Sequence, residues 1–108
     1  MKLIRAILRP EKEEAVIESL ESVGIYAITK TDVVGRGRQR GIRVGAISYD
    51  ALAKVMLMLV VNDADYEKAV AAIQQAALTG HPGDGRIFVQ PLSATIAIRT
   101  GRKETTLS

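Results

Sequence analysis

Lys54-Val-Met-Leu-Met-Leu-Val-Val61 opens on a charge and then runs through seven apolar residues without a glycine or proline. A run this short, apolar and rich in valine reads as a strand, hydrophobic enough to lie at the centre of a sheet. Asn62 and Asp63 follow it and suit a helix N-terminus, and Tyr66, Ala69, Val70, Ile73 and Ala77 then recur on one helical face. Gly80 ends that helix, Arg86 to Gln90 reads as the next strand, and Ala94 to Arg99 as a short extra one.

The N-terminal half repeats the pattern. Lys2 to Leu8 reads as a strand, and Pro10 suits the first turn of a helix in which Glu11, Glu13 and Glu14 favour the N-terminus. Ala15, Val16, Leu20 and Val23 form its apolar face, with Gly24 as a C-terminal cap. Ile25 to Val34 is the second strand. Two β-α-β units predict an α+β, ferredoxin-like double split βαβ sandwich, a four-stranded antiparallel sheet with two helices on one face. The other face would be largely aliphatic and uncovered, which predicts self-association. The 108 residues form a single domain. Residues 35–53 are expected to be a long effector loop between the second and third strands, and 103–108 a flexible tail.

Composition narrows the functions. Hydrophobic residues make up 47% of the chain and aromatics only 4%, so the core must be aliphatic. There is no cysteine and a single histidine, His81, which excludes a disulfide framework and thiolate or histidine metal clusters. The strand-like N-terminus is too short for a signal peptide or membrane span, and a cytoplasmic protein is expected. No nucleophile stands beside a histidine, so unaided catalysis is not expected. Ferredoxin-like sheets also frame RNA-recognition motifs, but the stacking platform those need is missing: the third strand offers Val55, Leu57 and Met58, and the fourth only Phe88.

Thr79-Gly-His-Pro-Gly-Asp-Gly-Arg-Ile-Phe-Val89 carries the clearest chemistry. Its glycines can turn backbone N–H groups toward one point, and Arg86 sets a cation beside them, an arrangement that holds phosphate. Gly-Asp-Gly is also ordinary turn chemistry. Asp84 would repel an anion, so its side chain is expected to turn away, bonding backbone or an arginine. Arg36, Arg38, Arg40 and Arg43 interleave with glycines in the long loop, and Arg86, Arg99, Arg102 and Lys103 form a second basic group. The split βαβ order would set the second and third strands side by side, bringing Gly37, Arg38 and Gln39 near Lys54. Lys54 could equally be a lysine that starts a strand, and Gln39 a solvated loop residue.

With these segments in order, the chain resembles the PII family of trimeric nitrogen-status signal proteins from Met1 to about Arg102. Gly35-Arg-Gly-Arg-Gln-Arg-Gly41 is similar to the base of that family's long loop, Thr79 to Val89 fits its C-terminal signature, and Ile98-Arg-Thr-Gly101 is similar to its closing loop. The resemblance implies a trimer that binds ATP or ADP in clefts between subunits. Thr29 and Val60 would hold the adenine, with Ile7 nearby. Gly83, Asp84, Gly85 and Arg86 would form the phosphate loop, approached by Gly37, Arg38 and Gln39 and by Arg99 of a neighbouring copy. It further implies 2-oxoglutarate beside Mg-ATP, held by Mg²⁺, Gln39, Lys54 and backbone around Gly41, with Gln39 also meeting the metal.

Some positions depart from the family pattern. Ala97 stands where a second arginine is usual, Arg86 replaces a lysine, and the long loop is about four residues short. Tyr49 is the nearest counterpart of the loop tyrosine that many members modify. The short loop, the Ile-Arg-Ala-Ile-Leu-Arg-Pro opening and Ala97 together resemble the nitrogenase-associated branch. That branch implies a homotrimer or an assembly with a sister chain that binds nitrogenase and inhibits it when ammonium is plentiful. A general regulator of an ammonium transporter or of glutamine synthetase control is the nearer alternative. A small enzyme or RNA-binding module on the same fold is the more distant one. No nucleic-acid partner and no membrane insertion are expected.

Overall fold

The structure is a computed structural model that describes residues 1–36, 42–44, 47–49 and 51–107, the two short segments as backbone only. Its main sheet has the order β2-β5-β1-β6, with β1 (Lys2–Leu8), β2 (Thr29–Gly35), β5 (Leu52–Val61) and β6 (Gly85–Pro91). All three pairings are antiparallel. Helices α1 (Glu13–Ser22) and α2 (Tyr66–Ala77) pack on one face. This is the split βαβ sandwich that the repeated unit predicts.

Alternation along the two central strands decides which side chains reach the helices. Ile4, Ala6 and Leu8 of β1, and Val55, Leu57, Leu59 and Val61 of β5, are buried against Val16, Leu20, Ala69 and Ile73. Ala15, expected on the inner face of α1, is exposed, and Ile17 packs against the core instead. The Ser19 hydroxyl crosses between the helices and donates to the Ala72 carbonyl at 3.0 Å.

The open face is more mixed than an aliphatic surface. The register aligns Thr29, Met58, Arg5 and Phe88 in one row and Thr31, Met56, Ile7 and Arg86 in the next. Arg5 is held along the sheet by a 2.7 Å hydrogen bond to the Gln90 side-chain oxygen.

Several boundaries shift for identifiable reasons. The second strand begins at Thr29 rather than Ile25, because Ile25 belongs to the end of α1. Gly24, at φ +84°, donates its N–H to the Glu21 carbonyl, and the Ile25 N–H returns to Leu20, both at 2.9 Å. That is a Schellman ending, in which glycine supplies the left-handed residue. Asn62 precedes a 3₁₀ turn (Asp63–Asp65) but makes no side-chain cap bond.

The sheet takes in both ends of the expected 35–53 loop. Gly35 belongs to β2, and Leu52 and Ala53 begin β5. Between them β3 (Ile42–Val44) and β4 (Ile47–Tyr49) pair as a hairpin, two β-forming triplets separated by two residues. The tail expected from Lys103 is tied down as well. Within the expected fifth strand, only β7 (Thr95–Ile96) is extended, and it pairs with β8 (Lys103–Glu104).

Candidate functional site

Pairing of β1 with β6 sets the site, because Leu8 lies opposite Gly85 and leaves Arg9 beside Asp84 where the strands diverge. The Arg9 guanidinium donates to the Asp84 carboxylate at 3.1 Å and to the Pro82 carbonyl at 2.8 Å. The same carboxylate accepts the Thr79 N–H at 2.8 Å, the Gly80 N–H at 2.9 Å and the Thr79 hydroxyl. These bonds, with the Thr79 hydroxyl and N–H contributing most, hold the Asp84 carboxyl well below the usual carboxylate range. An acid inside a glycine loop is therefore turned back into the loop's own frame.

Two further contacts fix the loop against the sheet. The Lys54 ammonium donates to the Gly83 carbonyl at 2.5 Å, joining the start of β5 to the loop. Gly85 has φ +110°, and a Cβ there would lie 1.8 Å from the Ile7 carbonyl oxygen. Only glycine permits so close an approach between the loop and β1.

Ile7, Asp84, Gly85 and Arg86 line one cavity of about 330 Å³, whose other wall is the end of α2 around Ile73 and Ala77. Thr29 and Val60 line a second cavity, of about 390 Å³, with Ile28 and Met58. Ile7 is paired with Met56, so Val60 lies four residues farther along β5, about 13 Å away at the rise of a strand. Of the expected nucleotide residues, Ile7, Asp84, Gly85 and Arg86 thus form one group on the chain and Thr29 and Val60 another. Gly83 and Gly85 have positive φ, and Arg86 is exposed.

Arg99 lies in the exposed turn between β7 and β8, which is closed by the Gly101 N–H on the Ala97 carbonyl at 2.7 Å. Gly37, Arg38, Gln39 and Gly41 lie outside the described residues, as does the side chain of Tyr49. Arg9 was not among the residues the sequence suggested. Among the described residues, no three histidine, cysteine or acidic side chains gather to hold a metal. No helix of the described residues is long and apolar enough to cross a membrane.

Residues 1–102 match the family described as Nitrogen regulatory protein P-II. The chain belongs to the P-II family. It is 49% identical over 100 residues to a nitrogen fixation nifHD region GlnB-like protein 1 of Methanothermobacter marburgensis, covering 93% of this chain and 95% of the relative. A nifHD1 region GlnB-like protein 1 of Methanosarcina barkeri is 50% identical over 102 residues, covering 94% and 97%. A nitrogen regulatory protein P-II of Azospirillum brasilense is 47% identical over 107 residues, covering 95% and 96%.

Within the P-II family the likeness is to the nitrogen-fixation-associated branch. As a P-II protein the chain is a non-catalytic regulator of nitrogen metabolism. The Asp84 geometry agrees with a regulatory part, since its carboxylate is committed to holding a loop.

Proposed function

We propose that this P-II chain assembles as a trimer, binds ATP or ADP between neighbouring copies, and binds 2-oxoglutarate where Mg-ATP is already present. The observation that carries this reading is the division of the candidate nucleotide residues between two separate cavities, with Val60 about 13 Å along β5 from the partner of Ile7. A base pocket at Thr29 and Val60 of one copy, facing a phosphate loop at Gly83 to Arg86 of the next, makes one site from two halves. The mixed open face, with Met56, Met58 and Phe88 beside Arg5 and Arg86, supplies both apolar and charged contacts for such an assembly.

The loop suits a polyphosphate. Its acid is tied back by hydrogen bonds from Thr79 and Gly80 and paired with the Arg9 guanidinium, and Arg86 is exposed at its end. Gln39 would help hold Mg²⁺ carried on the nucleotide phosphates, and that metal would supply a chelation site for the keto acid. Lys54 would contribute charge toward that acid while its ammonium stays on the Gly83 carbonyl. The two ligands then depend on one another by linkage.

The output is regulation of nitrogen fixation through the 35–53 segment, with nitrogenase as the bound and inhibited target when ammonium is plentiful. The nifHD-region relatives support that target. Calorimetric titration tests the ligand model: 2-oxoglutarate should bind with Mg-ATP saturating and fail to bind without it. No binding in either condition would overturn the model.

The second reading is a general P-II role, on an ammonium transporter or on glutamine synthetase control; the Azospirillum brasilense relative, described as a nitrogen regulatory protein P-II, supports the general role. Capture from extract, with and without 2-oxoglutarate, separates the readings by whether nitrogenase is retained in its absence and released in its presence.

A further inference from the structure

Asn62 follows the end of β5, and its carboxamide brackets a residue 45 positions away. The Leu107 N–H donates to Asn62 Oδ1 at 2.8 Å, and Asn62 Nδ2 donates to the Leu107 carbonyl at 3.0 Å. A side-chain amide paired in this way offers Leu107 the same donor and acceptor that a neighbouring strand would offer. Leu107 is the only apolar residue after Ile98, in a segment otherwise made of charged residues, threonine, glycine and serine.

The bracket delivers Leu107 to a defined place, where it is half-buried and lines the 390 Å³ cavity with Ile28, Thr29, Met58 and Val60. Pairing of β2 with β5 stops at Thr29 opposite Met58, whereas β5 continues to Val61. On that side the main chain near Val60 therefore faces the cavity rather than a strand. Apolar walls beside main chain that β2 does not pair suit a flat heteroaromatic ring that hydrogen-bonds along one edge. With Leu107 in place, the volume still lies within the range of small-molecule pockets.

We propose that Leu107 is a nucleotide-binding residue, the apolar wall against which the purine ring rests, and that Asn62 is the positioning residue that sets it there. The proposal rests on the reading that Thr29 and Val60 hold the base of a nucleotide. It makes the C-terminal segment part of the binding site.

Calorimetry on the full chain, with ATP and with inorganic tripolyphosphate, separates the wall from the phosphate loop. Leu107→Ala and Asn62→Ala should each weaken ATP binding about five- to twentyfold and leave tripolyphosphate unchanged. Leu107→Met, which restores apolar bulk, should recover most of the loss. Amide exchange at Leu107 should be slow in the unsubstituted chain, faster in Asn62→Ala, and slower again with ATP. ATP affinity unchanged in both alanine variants would overturn the proposal by placing Leu107 outside the site. Tighter ATP binding would overturn it by making Leu107 a plug. An unsubstituted chain that binds no ATP would overturn the underlying reading and, with it, this one.

Discussion

The Arg9 guanidinium and the Asp84 carboxylate stand 75 residues apart in the chain and 3.1 Å apart in space. Together they join the end of the first strand to the glycine loop. Because Arg9 also holds the Pro82 carbonyl, one side chain fixes two points of that loop. Arg9→Met should weaken ATP binding about tenfold, because the loop must then be ordered by the ligand itself. Arg9→Lys keeps the charge but not the two-pronged geometry and should fall between the two. Equal affinities in all three chains, measured by calorimetry, would contradict the assignment.

Asp84 gives the loop a pH signature. Its folded carboxyl is depressed from an ordinary value near 3.8, so the unfolded chain takes up a proton first as pH falls. The stabilisation is fully present above about pH 5 and is lost progressively below the unfolded value. Asp84→Asn should remove that slope. Urea midpoints of the two chains should differ most at pH 5–7 and converge below about pH 4.

Gly85 and Gly24 both have positive φ but differ in their surroundings. A methyl at Gly85 meets the Ile7 carbonyl oxygen at 1.8 Å, whereas one at Gly24 has nothing within 4 Å. Gly24→Ala should cost about 1–2 kcal/mol, the penalty of the left-handed conformation alone. Gly85→Ala should cost more than about 3 kcal/mol, since backbone must separate from backbone. Denaturant titration checks the order, and a larger loss at Gly24 would be inconsistent with this register.

Leu57 and Met58 are chain neighbours on opposite faces of β5. Leu57 is fully buried beneath the helices, so Leu57→Ala should destabilise folding by about 2–5 kcal/mol. Met58 is only partly covered on the open face, and Met58→Ala should cost the isolated fold less than about 1.5 kcal/mol. If that face joins copies of the chain, sedimentation of Met58→Ala should show a weakened trimer.

Periodicity made the sheet, the helices and the glycine loop legible, because each is written in local spacing. What stayed hidden depended on distant partners. Asn62 after a strand and before a helix reads as a cap, yet its carboxamide is spent on Leu107. Ile25 reads as the start of a strand, but its N–H closes a helix. Arg9 gave no local signal of its own. Aligning the first strand against the fourth would have revealed it, since the residue after Leu8 then falls beside the acid before Gly85.

The place of β1 in the sheet bears on how the chain acquires its structure. Lys2 to Leu8 is made before the other strands of its sheet, and both strands that flank it lie beyond residue 51. During synthesis this apolar segment must wait for β5, and it gains its second neighbour only when Gly85 to Pro91 have emerged. Such non-local pairing slows folding and leaves a partner-seeking strand exposed meanwhile. A nascent chain stopped before Thr79 would hold β1 half-paired, and with it an Arg9 that has no Asp84 loop to grip.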